Sequence, residues 1–353
     1  MLCVQGRLAY VGMTAERPAP KGGAAAGDLD GVATLRVAVI GARRVRSGTG
    51  PFLAEQTVRL GAQLVGVVGT RPDTAREAAE GLASQGIRVP AFSEAEDLFS
   101  EAGPDAVLIA APASAHRAWL HACLEGGAHV LCEKPLAAGS AEESRALAQR
   151  FAAAGLVLAE NCQWPAALEA FRALHPEFDN AGAQRFRMLM APPQRGIERW
   201  SEILSHPLSM LQAFAPGPAV LTGIRYAESD PEAADARLDF LWRTHQSTLR
   251  CEVVAEDLGV WPRPAEFAFD DALCRRRVSA KGYKIRFENE VPEPGKRSRS
   301  VEIGDPMEIS VREFLSRVLK ARARKTAPVD EALVRRQALL EQLLDAWRVQ
   351  RRA

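Results

Sequence analysis

From residue 35 to about residue 161 the chain repeats one pattern, in which a short apolar run is followed by a segment with helical periodicity. Runs that are apolar at every position are typical of parallel strands buried on both faces of a sheet. The six runs are 35–42, 62–70, 88–92, 105–112, 128–135 and 156–161. The segments between them predict helices near 51–60, 74–85, 94–102, 114–126 and 141–153. Six strands joined by right-handed crossover helices form a doubly wound parallel sheet, which binds ligands at the carboxyl ends of its strands.

Capping boxes indicate where three of these helices begin. In such a box a Ser or Thr caps the first turn, and a Glu three residues later reaches back to it. The pairs are Thr74 with Glu77, Ser93 with Glu96, and Ser140 with Glu143. We therefore expect the second, third and fifth helices to start at these residues.

The pattern changes after about residue 160. Runs that alternate between apolar and polar positions predict strands with one solvated face, and further strands are expected toward Arg286 and Val301. The alternating runs are 184–190, 220–227, 236–244 and 247–255. A helix is expected around 198–214 and two more near 308–322 and 329–348. This half predicts an α+β domain with a large, open, mostly antiparallel sheet and helices on one side.

Length and composition divide the chain further. Its 353 residues are comfortable for two domains. Residues 14–34 are rich in Ala, Gly and Pro, which predicts a flexible N-terminal extension over 1–34. A dinucleotide-binding domain over 35–160 and a substrate-binding and oligomerisation domain over 161–353 complete the predicted organisation.

Charge and cysteine usage exclude several function classes. Lys and Arg number 45 against 44 Asp and Glu, so nothing favours a nucleic acid or an anionic membrane as partner. The longest uncharged apolar stretch, 106–115, is half of the roughly 20 residues that span a bilayer. Six scattered cysteines form no C-x-x-C pair and no zinc spacing. We expect reduced thiols, no metal site and a cytoplasmic location.

A glycine-rich loop follows the first strand. Glycine lets backbone N–H groups approach a pyrophosphate, and the next helix offers its positive N-terminal end. The spacing departs from G-x-G-x-x-G, because the loop is longer and carries three arginines. The alternative is a turn without a ligand. The candidate cofactor contacts in this Rossmann loop are Gly41, Arg43, Ser47, Gly48 and Gly50.

The end of the second strand bears on cofactor choice. NAD-binding sheets carry an acidic residue there for the ribose hydroxyls, but this chain has Gly69, Thr70 and Arg71. A guanidinium suits a 2′-phosphate because of its planar set of donors. NADP(H) is therefore favoured over NAD(H), unless Arg71 is only a solvated loop charge.

The segment HVLCEKPLA at 129–137, with AAPASAH at 110–116, resembles the Gfo/Idh/MocA oxidoreductases, a family that includes glucose–fructose oxidoreductase and inositol dehydrogenases. The resemblance extends from Leu35 to about Trp347. It implies that Lys134 lies beside the nicotinamide and polarises the substrate oxygen, with a Lys–Pro bond that is often cis. It also places Glu133 in the cofactor cleft. A strand-end salt bridge is the alternative for this pair.

Two further stretches follow from the same resemblance. Glu202 and His206 stand where the family carries Asp and His four apart on a helix, so Glu202 could orient His206 as the proton-transfer group. Pro207 predicts that the helix begins or breaks there. The remaining candidates are Ala111, Pro112 and His116 for the cofactor, with packing an equal alternative for His116, and Gln163, Trp164 and Trp200 for the substrate.

The sequence departs from the family in ways that bear on the substrate. Glu198 to Ser201 replace the usual glycines before Glu202, Ser209 replaces a carboxylate, and Gln163-Trp164 replaces Arg-Phe. The arginine run 275–277 is interpreted as a solvated strand or turn face.

These observations predict hydride transfer between a nicotinamide and a hydroxyl or carbonyl carbon of a sugar, cyclitol or related polyol. We expect a homodimer or homotetramer, with which the apolar alternate positions in 236–255 are compatible. Two alternatives stay open, namely a glycosidase that uses bound NAD(P) transiently and a non-catalytic sensor regulated by NADP.

Overall fold

A computed structural model describes residues 29–43, 48–136, 140–228, 230, 232–279, 284–289 and 299–352. Ser47 and most of the predicted N-terminal extension lie outside these residues. Within them, no helix is long and apolar enough to cross a membrane.

The first sheet confirms the doubly wound prediction. All its pairings are parallel, in the order β3-β2-β1-β4-β5-β6. Its strands are β1 (Arg36–Ile40), β2 (Gln63–Val68), β3 (Ala91–Phe92), β4 (Ala106–Ile109), β5 (His129–Cys132) and β6 (Leu158–Glu160). The helices between them are α1 (Gly50–Arg59), α2 (Pro72–Ala83), α3 (Ala95–Asp97, continued by a π-turn at Leu98–Ala102), α4 (Ala113–Glu125) and α5 (Ala141–Ala153).

Only one of the three predicted capping boxes is confirmed. Ser140 caps α5, and its hydroxyl accepts from the N–H of Glu143 at 3.1 Å. The box at Thr74 was wrong, because α2 starts at Pro72, whose fixed φ suits a first turn. Thr74 instead accepts from the Arg71 N–H at 3.1 Å, so Arg71 is the capping position. The box at Ser93 was also wrong, since the residue before α3 is Glu94 and no side chain caps it.

The second sheet has eight strands in the order β14-β13-β12-β11-β7-β10-β9-β8. Its one parallel pair is β7 with β10, and the other pairs are antiparallel. The strands are β7 (Arg185–Met190), β8 (Val220–Ala227), β9 (Asp235–Arg243), β10 (Thr248–Glu256), β11 (Ala265–Phe269), β12 (Ala272–Val278), β13 (Ile285–Glu288) and β14 (Ser300–Glu302). The helices are α6 (Ala167–Leu174), α7 (Gly196–Ile203), α8 (Ser205–Phe214), α9 (Pro306–Arg324) and α10 (Glu331–Gln350). This architecture confirms the predicted fold class.

The apolar alternate positions of the second sheet face the chain's own helices. Leu238, Phe240 and Trp242 are 0–3% exposed and belong to one core cluster with residues of α6, α8 and α10. These positions therefore do not form a surface for a partner, contrary to the interpretation given above. The opposite face is charged, as Arg187 shows by pairing with Glu252 and Glu266 on the neighbouring strands.

The last two helices connect the two halves. Val311, Phe314 and Val318 of α9 are fully or almost fully buried in one core cluster with β1 and β4 of the first sheet. Leu333 of α10 packs into the other side of that sheet, whereas Leu343 joins the core of the second sheet. The division at residue 160 stays a prediction, but the chain after it contributes to both cores.

Candidate active site

The glycine loop is a backbone cradle with no room for side chains. Gly41 has φ +82°, and a Cβ there would lie 2.7 Å from the carbonyl carbon of Ala110. A Cβ on Gly50, where α1 begins, would collide with the Gly41 carbonyl oxygen. A phosphate needs this kind of approach to exposed N–H groups and to a helix N-terminus. The residues present therefore fit a dinucleotide, and Gly48 lies half-buried between them.

Two arginines lie near the first turns of α2. The Arg43 guanidinium reaches across from the glycine loop to the Glu77 carboxylate at 2.6 Å. Thr70 and Arg71 are exposed just before the helix. A Cβ on Gly69 would lie 2.6 Å from the Thr74 hydroxyl oxygen, so the backbone passes close to the helix here. The two cationic side chains thus flank the end of β2.

Glu133 is fixed by groups from separate elements. Its Oε1 accepts from the Thr49 hydroxyl at 2.7 Å and from the Asn161 side-chain amide at 2.8 Å. Asn161 in turn accepts from the Ser310 hydroxyl of α9 at 2.7 Å. Sequence reasoning missed Thr49, Asn161 and Ser310. Only Asn161 carried a signal, because it follows the last parallel strand at its carboxyl end.

The turn after β5 is held from two sides. The Lys134–Pro135 bond is cis. His116 is 1% exposed, and its two ring nitrogens lie 2.9 Å from the Pro135 oxygen and 2.7 Å from the Ala111 oxygen. Pro112 is the residue that precedes α4. His116 therefore ties the Lys–Pro turn to the end of β4.

A buried ion pair supports the same turn from the other side. Glu160 of β6 accepts from the Leu136 N–H at 3.0 Å and from Arg336 Nε at 2.6 Å. Gln337 Nε2 donates to the same carboxylate at 2.9 Å. Because Arg336 and Gln337 belong to α10, the C-terminal helix helps to place the residue that follows the Lys134–Pro135 pair.

The Lys134 ammonium is directed at the end of α7. Its Nζ donates to Glu202 Oε1 at 2.6 Å and to the Glu202 carbonyl oxygen at 3.0 Å. The last carbonyls of a helix lack partners and attract cations, so both bonds are favourable. The side chain of Lys134 is 12% exposed and that of Glu202 is 42% exposed.

The structure corrects the role expected for Glu202. Its carboxylate binds Lys134, and among the described residues it makes no hydrogen bond to His206, whose buried Nδ1 has no partner. The predicted helix break is present, since α7 ends at Ile203 and α8 begins at Ser205. Pro207 lacks the N–H that would bond to the Ile203 carbonyl, which accounts for the break.

His206 lies in a cationic, largely desolvated environment. Burial lowers the pKa of His206 well below its usual value, and the charges of Lys134 and Arg276 lower it further. The imidazole is therefore neutral near pH 7. A neutral imidazole can accept a proton, which is what oxidation of a hydroxyl requires.

An aromatic ring and an arginine complete this side. The Trp164 ring centroid lies 6.3 Å from that of His206, in an edge contact. The guanidinium of Arg276 lies 5.4 Å from the Trp164 ring centroid. Gln163 Nε2 points to the Met307 sulfur at 3.4 Å. The lining of a small cavity here comprises Gln163, Trp164, Ala167, Arg276, Ile285, Phe287 and Pro306.

Two of the earlier interpretations of this region were wrong. Arg276 is half-buried on β12 rather than solvated, because it shares the inner face with the buried Cys274. Trp200 is fully buried, and its indole N–H donates to Glu228 at 2.6 Å. Trp200 is thus a core residue and does not line this cavity. In the described part of the chain, no three His, Cys, Asp or Glu side chains gather as metal ligands would.

A parallel sheet with a glycine cradle at its carboxyl edge, followed by a second sheet, defines a two-part Rossmann architecture. Residues 35–162 match the family model of the oxidoreductase family with an NAD-binding Rossmann fold, Gfo/Idh/MocA. This segment of the chain therefore belongs to that family, as the resemblance implied.

Individual proteins agree with this assignment. The chain is 37% identical over 121 residues to inositol 2-dehydrogenase 1 of Saccharopolyspora erythraea, which is 34% of this chain and 33% of the relative. The chain thus matches about a third of the length of that relative.

Solved structures cover the whole fold. An inositol dehydrogenase homolog from Azotobacter vinelandii in complex with NAD+ aligns with TM-score 0.65 at 16% identity, over 89% of this chain and 95% of that one. The K102A mutant of KijD10, a 3-ketoreductase from Actinomadura kijaniata in complex with TDP-benzene and NADP, aligns with TM-score 0.64 at 20% identity, over 88% and 96%. At these identities the likeness establishes the fold.

Proposed function

We propose that the protein is an NADP(H)-dependent oxidoreductase that interconverts a hydroxyl and a carbonyl carbon of a sugar, cyclitol or related polyol. The observation that carries this proposal is the placement of the Lys134 ammonium, held by Glu202 next to the glycine cradle's sheet edge and within electrostatic reach of a neutral His206. A relative named inositol 2-dehydrogenase supports the substrate class.

The chemistry divides between these side chains. When bound, the nicotinamide supplies or accepts the hydride. Lys134 donates a hydrogen bond to the substrate oxygen, which gains negative character as the carbon–hydrogen bond changes. His206 takes the hydroxyl proton in the oxidative direction and returns it in the reductive direction. Glu202 keeps the ammonium in position and balances its charge.

The preference for NADP(H) rests on the end of β2. No carboxylate follows that strand to bind the ribose hydroxyls, and Arg71 caps α2 with an exposed side chain. Arg43 brings a second guanidinium to the same helix. A helix N-terminus with two arginines suits a 2′-phosphate dianion. The expected cytoplasmic location and the expected homodimer or homotetramer belong to the same proposal.

A thermal-shift series with NADPH, NADP, NADH and NAD tests the cofactor. A ligand at about 100 times its Kd stabilises the folded protein by about 2.7 kcal/mol. We expect the phosphorylated pair to give the larger shift, and Arg71→Ala to remove that advantage. Arg76→Ala is the matched control, because Arg76 lies on the same helix and pairs with Asp73 in solvent. A larger shift with NADH than with NADPH would contradict the NADP(H) preference.

Turnover with a panel of sugars and cyclitols then tests the catalytic role. We expect Lys134→Ala to lower kcat by about 10²- to 10³-fold, as loss of an oxyanion donor does. The cofactor-induced shift in Tm should persist in this variant. Wild-type turnover by Lys134→Ala would refute the role assigned to the ammonium.

A further inference from the structure

Arg276 differs from its two arginine neighbours on β12 in the face of the sheet that it occupies. Arg275 and Arg277 point to the outer face, where they pair with Glu266 at 2.7 Å and Glu288 at 3.1 Å. Arg276 points inward, opposite Ala265 on one neighbouring strand and Phe287 on the other. Both of those residues are 1–2% exposed. A guanidinium has therefore been placed on the apolar side of the sheet.

This placement is held by specific contacts. The guanidinium lies over the Trp164 ring at 5.4 Å, and Arg276 Nη2 donates to the Arg263 carbonyl at 2.9 Å. Stacking on tryptophan orients the planar group and leaves its edge N–H groups available for a bidentate acceptor. The orientation is what carboxylate or phosphate recognition requires.

The position also lies next to the proposed proton-transfer group. Trp164 contacts both His206 and Arg276, so the two basic side chains share one aromatic wall. Lys134 adds a second cation that acts on His206. The carboxylate at this end of α7, Glu202, is bonded to Lys134. The wall is thus electropositive where a substrate would enter.

The cavity beside Arg276 has a size that suits a head group. Its volume is about 30 Å³. A single water needs roughly 10–15 Å³ on the same measure, so the space fits a few heavy atoms and not a sugar ring. The polyol itself would lie outside it, toward Lys134.

We propose that Arg276 binds an anionic head group, a carboxylate or a phosphate, on the polyol substrate. The substrate class is then acidic sugar derivatives rather than neutral sugars. This inference rests on the proposed function, because it assumes that the polyol binds at Lys134 and His206.

Calorimetric binding to the NADP-saturated protein tests it with matched ligands. The neutral ligands are D-glucose and myo-inositol, the carboxylate is D-glucuronate, and the phosphate is D-glucose 6-phosphate. For the wild-type protein we expect at least one acidic ligand to bind about 10-fold or more tightly than its neutral counterpart, since charge-assisted hydrogen bonds are the stronger ones. The affinity of that ligand should fall as salt is raised.

Substitution separates Arg276 from general charge. Arg276→Gln should weaken the acidic ligand by about 10- to 100-fold and change neutral ligands by less than about 2-fold. Arg277→Gln is the control, because it makes the same change on the outer face of the same strand. It should leave every Kd unchanged. Arg276→Lys keeps the charge without the planar donors, and we expect an intermediate Kd.

The outcomes distinguish the two proposals. Equal or tighter binding of the neutral ligands by the wild-type protein overturns the inference, and that measurement does not depend on a variant folding. Equal losses in Arg276→Gln and Arg277→Gln also overturn it. Absence of any dinucleotide-induced shift in Tm would instead overturn the proposed function. Whether glucuronate or the phosphate ester responds to Arg276 identifies the head group.

Discussion

The two walls of the candidate site are built in different ways. The cofactor wall, formed by the glycine loop 41–50 and the ends of β2, β4 and β5, is shaped by backbone. A Cβ at Gly41 or Gly50 would meet main-chain atoms, and Ala111 and Pro135 contribute carbonyl oxygens. The substrate wall, formed by α7, α8, Trp164 and β12, is shaped by side chains. Lys134 meets it through Glu202.

The difference bears on what each wall can change. A backbone cradle recognises the part that all dinucleotides share, and a single added methyl group has nowhere to go. A wall of side chains can exchange Arg, Trp or Gln without moving the chain, so it sets substrate choice. Sequence departures from the family accordingly concentrate near Gln163, Trp164 and Glu202.

The largest effect is expected on the cofactor wall. Gly50→Ala adds a Cβ that would collide with the Gly41 carbonyl, so the loop must shift away from its phosphate-binding geometry. We expect dinucleotide affinity to fall by about 10³-fold or to be lost, measured by calorimetry. Gly81→Ala is the control, because a Cβ there meets nothing within 4 Å. Unchanged affinity in Gly50→Ala would remove the distinction between the walls.

The second effect concerns stability beneath the cofactor wall. Burial, aided by Arg322, lowers the pKa of His129 to about 4, and its Nδ1 accepts from the Val157 N–H at 2.8 Å. The unfolded chain takes up a proton below about pH 6.5 and the folded chain does not until about pH 4. The stability contributed by neutral His129 is therefore present above pH 6.5 and lost as the pH falls toward 4.

We expect this loss to amount to about 3 kcal/mol in the free energy of unfolding between those pH values. Urea titrations at a series of pH values measure it. In His129→Gln, which cannot titrate, the acid-induced loss should be smaller by about that amount. An identical pH dependence in both proteins would exclude His129 as its source.

The smallest effect is expected on the substrate wall. Glu202→Gln keeps the shape of the side chain but removes the charge that faces Lys134, so the ammonium is held less firmly. We expect kcat to fall by about 10-fold with an unchanged Kd for the dinucleotide. Glu198→Gln on the exposed side of the same helix serves as the control. A weakened dinucleotide Kd in Glu202→Gln would mean that the two walls are not separable.

Much of the first domain could be predicted from the sequence alone. The apolar runs, the glycine loop and the Glu-Lys-Pro segment each depend on neighbouring residues, and so does the cap at Ser140. Strand burial, turn conformation and helix capping are local properties, because the atoms involved lie within a few residues of one another. The six parallel strands and the place of the loop followed from them.

The partners across the site were decided by the tertiary structure. Lys134 and Glu202 are 68 residues apart, and the bond between Glu133 and Asn161 spans 28. Arg276 lies in a run of three arginines, so polarity gave no sign of which one points inward. The register of β12 between β11 and β13 decided that. Contacts of this kind depend on how distant strands and helices pack, and a single sequence records the residues but not the packing.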